Sequence, residues 1–222
     1  MNGFGDFEPP GSVSLVVTDF AAHPVGALEV LAEAVLGAAD GEERRPLFGD
    51  DAARAVAAVY RSGHRMLAMG NGGSSCDASH FAVEFQHPVT AGRPSLPAMN
   101  LAMDTAMMTA VANDVGVRHL FARQVEAHGS PGDGLIGFST SGNSANLMAA
   151  FAKAKSIGMT TLGMAGGNGG DMLASGLVDH CLVVETDSIH RVQEVHVACY
   201  HILWDLVHTL LADKRGKLGK QS

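Results

Sequence analysis

Between His64 and Phe85 the chain reads HRMLAMGNGGSSCDASHFAVEF, a segment that few folds can accommodate. Met66 to Met69 is an apolar run of the length of a buried strand. Gly70-Asn71-Gly72-Gly73-Ser74-Ser75 is too rich in glycine to be regular structure, and Asp77 to Phe85 reads as a helix. Strand, glycine turn and helix together offer backbone N–H groups and a helix N-terminus to an anion, most often a phosphate. The turn is not GxGxxG, since Ser75 stands where the last glycine belongs, and it lacks the lysine of a P-loop. On this stretch alone, a tight turn with an N-cap explains the residues equally well. One turn into the helix, His80 and Glu84 are four apart and share a face.

Composition narrows the classes. The 222 residues are 46% hydrophobic, which supplies a core for one domain with a helical extension. A formal charge of −8 argues against nucleic-acid binding through a broad basic surface, and the basic cluster Lys214-Arg215, Lys217, Lys220 lies in a terminal tail. Cys76, Cys181 and Cys199 show no CxxC spacing and are odd in number, so a reducing cytoplasm is the expected compartment. No apolar run is read as membrane-spanning, and the opening MNGFGDFEPPGS lacks the pattern of a signal peptide.

Residues 1–18 read as a disordered leader and 19–63 as an N-terminal helical arm of two helices, the second capped by Asp50 or Asp51 and ended by Gly63. From 64 to 213 strands and helices alternate, with further strands at Ala98–Ala102, Leu135–Phe138, Met159–Met164 and Cys181–Val184. Asp104 is placed to cap the helix after the second strand, and a long helix runs from Ile189 to Ala212 before the tail 214–222. This is the pattern of an α/β protein with a doubly wound, five-stranded parallel sheet.

A second anion-type loop, Ser139-Thr140-Ser141-Gly142-Asn143-Ser144, follows the third strand and opens a helix. Its bland alternative is a loop with an N-cap at Asn143 or Ser144. Both loops face one crevice if their strands flank the point where the strand order reverses. Asn113-Asp114 suits a helix C-cap or the orientation of sugar hydroxyls. On the last helix, Gln193 and His201 are about 80° apart around the axis and can lean toward one site, whereas His196 lies on another face as a packed core histidine. With His80 and Glu84 they form a set able either to ligate a divalent metal or to supply a general acid and base.

GNGGSSCDASHFAVE, AVANDVG, GDGLIGFSTSGNSAN and RVQEVHVACYHIL, in that order, resemble the sugar isomerase (SIS) domain family and, within it, the bacterial phosphoheptose isomerases. The resemblance covers about Asp50 to Leu211. It implies a flavodoxin-like sheet, a cytoplasmic homotetramer with active sites between subunits, and isomerisation of sedoheptulose 7-phosphate in heptose biosynthesis. It also implies that Asn71, Gly72, Gly73, Glu84, Asn113, Asp114 and Gln193 touch substrate and that Ser139, Thr140, Ser141 and Ser144 hold its phosphate. His80, Glu84, Gln193 and His201 match the positions of one Zn²⁺ per subunit, with Glu84 and His201 as base and acid.

The chain departs from the resemblance twice. Where many relatives carry a Gly-Arg pair after the HFAVE segment, it has His87-Pro88, and His190 stands three residues before Gln193. Similar folds also serve as non-catalytic phosphosugar binders or as a regulator that binds the replication initiator DnaA. Those lack the glutamate and second histidine, whereas Glu84 and His201 are both present here. Neither a nucleic-acid nor a membrane partner is expected.

Overall fold

In a computed structural model of the chain, which describes residues 14–17 and 48–218, a parallel sheet is covered by helices on both faces. The elements are β1 (Ser14–Val17), α1 (Phe48–Arg61), β2 (Met66–Gly70), α2 (Gly73–Gln86), β3 (Ala98–Asn100) and α3 (Thr105–Asp114). A 3₁₀ turn at Val117–His119 leads into α4 (Leu120–His128). There follow β4 (Gly134–Ser139), α5 (Ala145–Ile157), β5 (Thr160–Gly166), α6 (Gly170–Ala174), β6 (His180–Val184) and α7 (Ile189–Leu218). The strand order is β1-β6-β5-β4-β2-β3, with every neighbouring pair parallel.

The five expected strands form the doubly wound sheet, and Ser14–Val17 adds a sixth at its edge beside β6. That strand corrects the reading of this segment as disordered: four residues, Ser-Leu-Val-Val, gain a partner that sequence alone does not reveal. The first helix of the expected arm lies outside the described residues. The second is α1, which begins at Phe48, so Asp50 and Asp51 sit inside its first turn rather than at its cap. At the other end α7 continues to Leu218, into the segment read as a tail. Asp104 caps α3 as expected, accepting the N–H of Met107 at 2.9 Å.

Alternation along the strands explains the two-sided core. Met66, Ala68, Ile136, Phe138, Leu182 and Val184 point to the face covered by α1, α2 and α7. Leu67, Met69, Leu135, Cys181 and Val183 point to the opposite face, against α4, α5 and α6. A parallel strand buried on both sides needs such an unbroken apolar run. On the first face Phe81 and Phe85 of α2 are fully buried, each contributing about 1.5–3 kcal/mol by leaving water. Those two side chains fix how α2 lies on the sheet.

Over Ile189–Ala212, α7 is long and apolar enough to cross a membrane by length and composition, contrary to the reading that no run is. In this fold it is a core helix. Val192, Val195, Tyr200, Leu203 and Val207 are buried in the core shared with α1, α2 and the sheet, and Val197, Ala198, Leu206, Leu210 and Leu211 pack partly buried against it.

Candidate active site

The chain leaves β2 outward to β3 and then returns to β4 on the other side of β2, so the order reverses between β2 and β4. Ligands of doubly wound proteins bind outside the carboxyl ends of the strands at such a point. Both anion-type loops end there, one after each strand. They are tied together by reciprocal amide hydrogen bonds of 2.9 Å between Asn71 and Asn146. Asn71, an expected substrate contact, therefore spends its amide on shaping the crevice. Gly72, at the N-cap position of α2, takes φ +53, which a side chain would resist.

The second loop separates the two readings of its residues. Ser144 occupies the N-cap position of α5, yet its hydroxyl makes no cap and instead faces the Ser139 hydroxyl at 3.0 Å. The side chain of Asn143 is used elsewhere, donating to the Ser141 carbonyl and accepting from the N–H of Asp171. Ser139 is buried, Thr140 and Ser144 are half-buried and Ser141 is exposed, so the hydroxyls line the loop from its base to its rim. A loop of this kind can satisfy a phosphate through hydroxyls and N–H groups without a fixed cation.

Beside the crevice α2 and α7 run parallel and in register. The amide of Gln193 lies against Gly73, Tyr200 bonds to His80 and Trp204 bonds to Glu84, each pair being 120 positions apart. The Gln193 amide occupies the place a Cβ on Gly73 would take, so a side chain at 73 would displace that amide. His80 Nε2 is 3.1 Å from Glu84 Oε1, and the His80 and His201 rings meet edge to face at 4.9 Å. The ligand atoms of His80, Glu84 and His201 all lie within 4.8 Å of one another. Two imidazoles and a carboxylate suit zinc, and three protein ligands leave a position open for substrate, so the residues fit the implied ion. Gln193 stands two turns earlier, at Gly73, apart from this trio.

Charge and burial tune the cluster. Burial holds His201 below the ordinary imidazole range, helped by the neighbouring charge of His80 and opposed by Glu84. Burial, then the negative charges of Asp77 and Glu84, raise the Tyr200 phenol. It therefore stays protonated, and its hydroxyl lies 2.7 Å from His80 Nδ1, which orients the ring with Nε2 toward Glu84. Burial pushes Asp77 up to about 6 against the attraction of His80, and its Oδ2 is buried with no partner among the described residues. Asp77 lies one turn before His80 on the same face of α2.

The remaining expected residues are dispersed. Asn113 donates to Asp114 at 2.8 Å; both are exposed at the end of α3, which packs chiefly on α4 and the 3₁₀ turn. His190 and His87 are exposed. His196 is the packed core histidine that its position predicts, bonded to the Ala165 carbonyl at 3.3 Å and held down to about 4 by burial. Tyr200, Asp77 and Asn146 were not identified from the sequence. A tyrosine in an apolar helix reads as core, and only the pairing of α2 with α7 exposes its role.

A switch-point crevice lined by hydroxyls and glycines, with a His–Glu–His cluster at its wall, defines a SIS-type domain. The family model described as SIS domain matches residues 27–166, and the chain belongs to that family. Within it the chain groups with the phosphoheptose isomerases. It is 46% identical to the phosphoheptose isomerase of Trichlorobacter lovleyi, over 67% of this chain and 75% of that one. It is 47% identical to that of Helicobacter pylori strain P12, over 68% and 77%. The solved phosphoheptose isomerase of Francisella tularensis superposes with a TM-score of 0.69 at 33% identity, covering 73% of this chain and 85% of that one.

Proposed function

We propose that the protein is an aldose–ketose isomerase that interconverts sedoheptulose 7-phosphate and D-glycero-D-manno-heptose 7-phosphate through an enediol. The observation that carries this reading is the convergence of Glu84 and His201 on His80 beside a phosphate-type crevice. Ser139, Thr140, Ser141 and Ser144 bind the remote phosphate, and that binding energy holds the sugar's first two carbons against the cluster. Glu84 takes the proton from C1; the C1–H electrons form the C1=C2 bond, and the former carbonyl oxygen on C2 receives a proton from His201. Loss of the proton on the C1 oxygen and return of a proton to C2 complete the aldose. Tyr200 keeps His80 oriented throughout.

His80, Glu84 and His201 would hold one Zn²⁺ per subunit, and Gln193 is the further ligand that the resemblance implies. When bound, zinc supplies Lewis-acid stabilisation of the negative charge that develops on the sugar oxygens. The proposed assembly is a cytoplasmic homotetramer. Exposed Val83, Met103, Val115 and Val117 support it, as does the placement of Asn113 and Asp114, which suits contact with a neighbouring subunit's substrate. Presence of both Glu84 and His201 disfavours a non-catalytic regulator.

The direct test is NMR of the purified protein with sedoheptulose 7-phosphate and related ketose phosphates. Conversion is expected, and binding without turnover contradicts the reading. Elemental analysis of chelator-treated protein tests the zinc separately, since full activity with no bound metal ends that part.

A further inference from the structure

The last four carbonyls of a helix have no partner within it and must find one elsewhere. In α2 three are satisfied locally: Val83 by the N–H of His87, Phe85 by the N–H of Leu96, and Gln86 by the Ser95 hydroxyl. Glu84 is the exception. Its ordinary partner, four residues on, is Pro88, which has no N–H. Proline also disfavours helical geometry in the residue before it, and His87 sits at φ −133, ψ 67. The Glu84 carbonyl is taken instead by the indole of Trp204, whose Nε1–H donates at 2.9 Å from α7.

Trp204 is itself held. It is 9% exposed and lies one turn beyond Tyr200 and His201. The guanidinium of Arg93, from the loop after Pro88, sits 4.3 Å from its ring centroid and pairs with Asp205. Along one face α7 thus holds His80 through Tyr200 and the backbone of Glu84 through Trp204.

We propose that Trp204, clamped by Arg93, is a positioning residue for Glu84. Its indole N–H replaces the N–H that Pro88 lacks and fixes the turn from which the Glu84 carboxylate projects. The inference rests on Glu84 acting in the proposed isomerisation. Trp204→Phe keeps a six-membered aromatic ring under Arg93 and removes the pyrrole ring with its N–H, so the Pro88→Ala rescue is what separates the lost bond from the lost volume. Adding Pro88→Ala restores an N–H four residues after Glu84 and frees His87 to turn helical.

The variants are compared by turnover, by zinc affinity of the metal-free protein, and by thermal midpoint. Trp204→Phe is expected to lower kcat roughly two- to tenfold at unchanged KM, the range of one neutral hydrogen bond, and to weaken zinc binding comparably. Pro88→Ala in that background should recover most of both. Since Trp204 is the only tryptophan, the indole N–H band in ultraviolet resonance Raman reads the bond directly in the wild type. Unchanged kcat and zinc affinity in Trp204→Phe, whatever its midpoint, overturn the proposal. So does a loss that Pro88→Ala fails to recover, or a Raman band of a free indole. An inactive wild type overturns the isomerase reading alone, and the zinc series then still decides the role of Trp204.

Discussion

Asp77 and His196 are buried ionisable groups that pull stability in opposite directions as pH falls. Asp77 is raised to about 6, so between about 4 and 6 the folded state binds more protons than the unfolded one, and this group favours folding as pH drops. His196 is lowered to about 4 from an ordinary 6.5; there the unfolded state binds more protons, and stability is lost as pH drops. In the metal-free wild type the two largely offset. Asp77→Asn removes the first and keeps the second. Its loss of stability between pH 7 and pH 4.5 should exceed that of the wild type by on the order of 1–2 kcal/mol, read by urea unfolding. An equal or smaller loss contradicts the burial of an ionisable Asp77. Among site residues, His80 and Glu84 were legible because a spacing of four puts two ligand types on one helix face. Asp77 was not, since the sequence reading begins the helix at Asp77, where an acid already suits the dipole, whereas the helix begins at Gly73.

At the scale of elements, the glycine and serine loops were legible as candidates, but each had a structural rival. Sequence does not say whether a hydroxyl at an N-cap position caps its helix. Ser144 turns its hydroxyl to Ser139 and leaves the cap unmade, which no spacing predicts. Replacing Ser139 and Ser144 together with Ala removes both partners of one hydrogen bond, so the fold should be nearly unaffected. Phosphate binding should weaken sharply, each hydrogen bond to a charged group being worth roughly 1.5–3 kcal/mol. Inorganic phosphate should therefore raise the thermal midpoint of the wild type more than that of the double variant. Equal protection would return the loop to a purely structural role. The meeting of α2 with α7 was also beyond the sequence, because it depends on which strands the two helices follow.

For the molecule as a whole, alternation of apolar runs with helical patterns was enough to read the doubly wound sheet. It missed β1, a four-residue run whose place at the sheet edge depends on its pairing with β6. Exposed apolar side chains on α2, around α3 and after it predict a tetramer by light scattering at micromolar concentration. A stable monomer there would remove the shared-site arrangement. The central claim is that Glu84 moves a proton between the first two carbons of a sugar phosphate held in the β2–β4 crevice. Proton NMR in D₂O tests it most directly, by following the hydrogen on C2 of the aldose over many turnovers. The wild type should form the aldose and exchange that hydrogen for deuterium, while Glu84→Gln, with normal thermal stability, should do neither. Near-normal turnover by Glu84→Gln, or wild-type product that keeps its hydrogen in full, would contradict the claim.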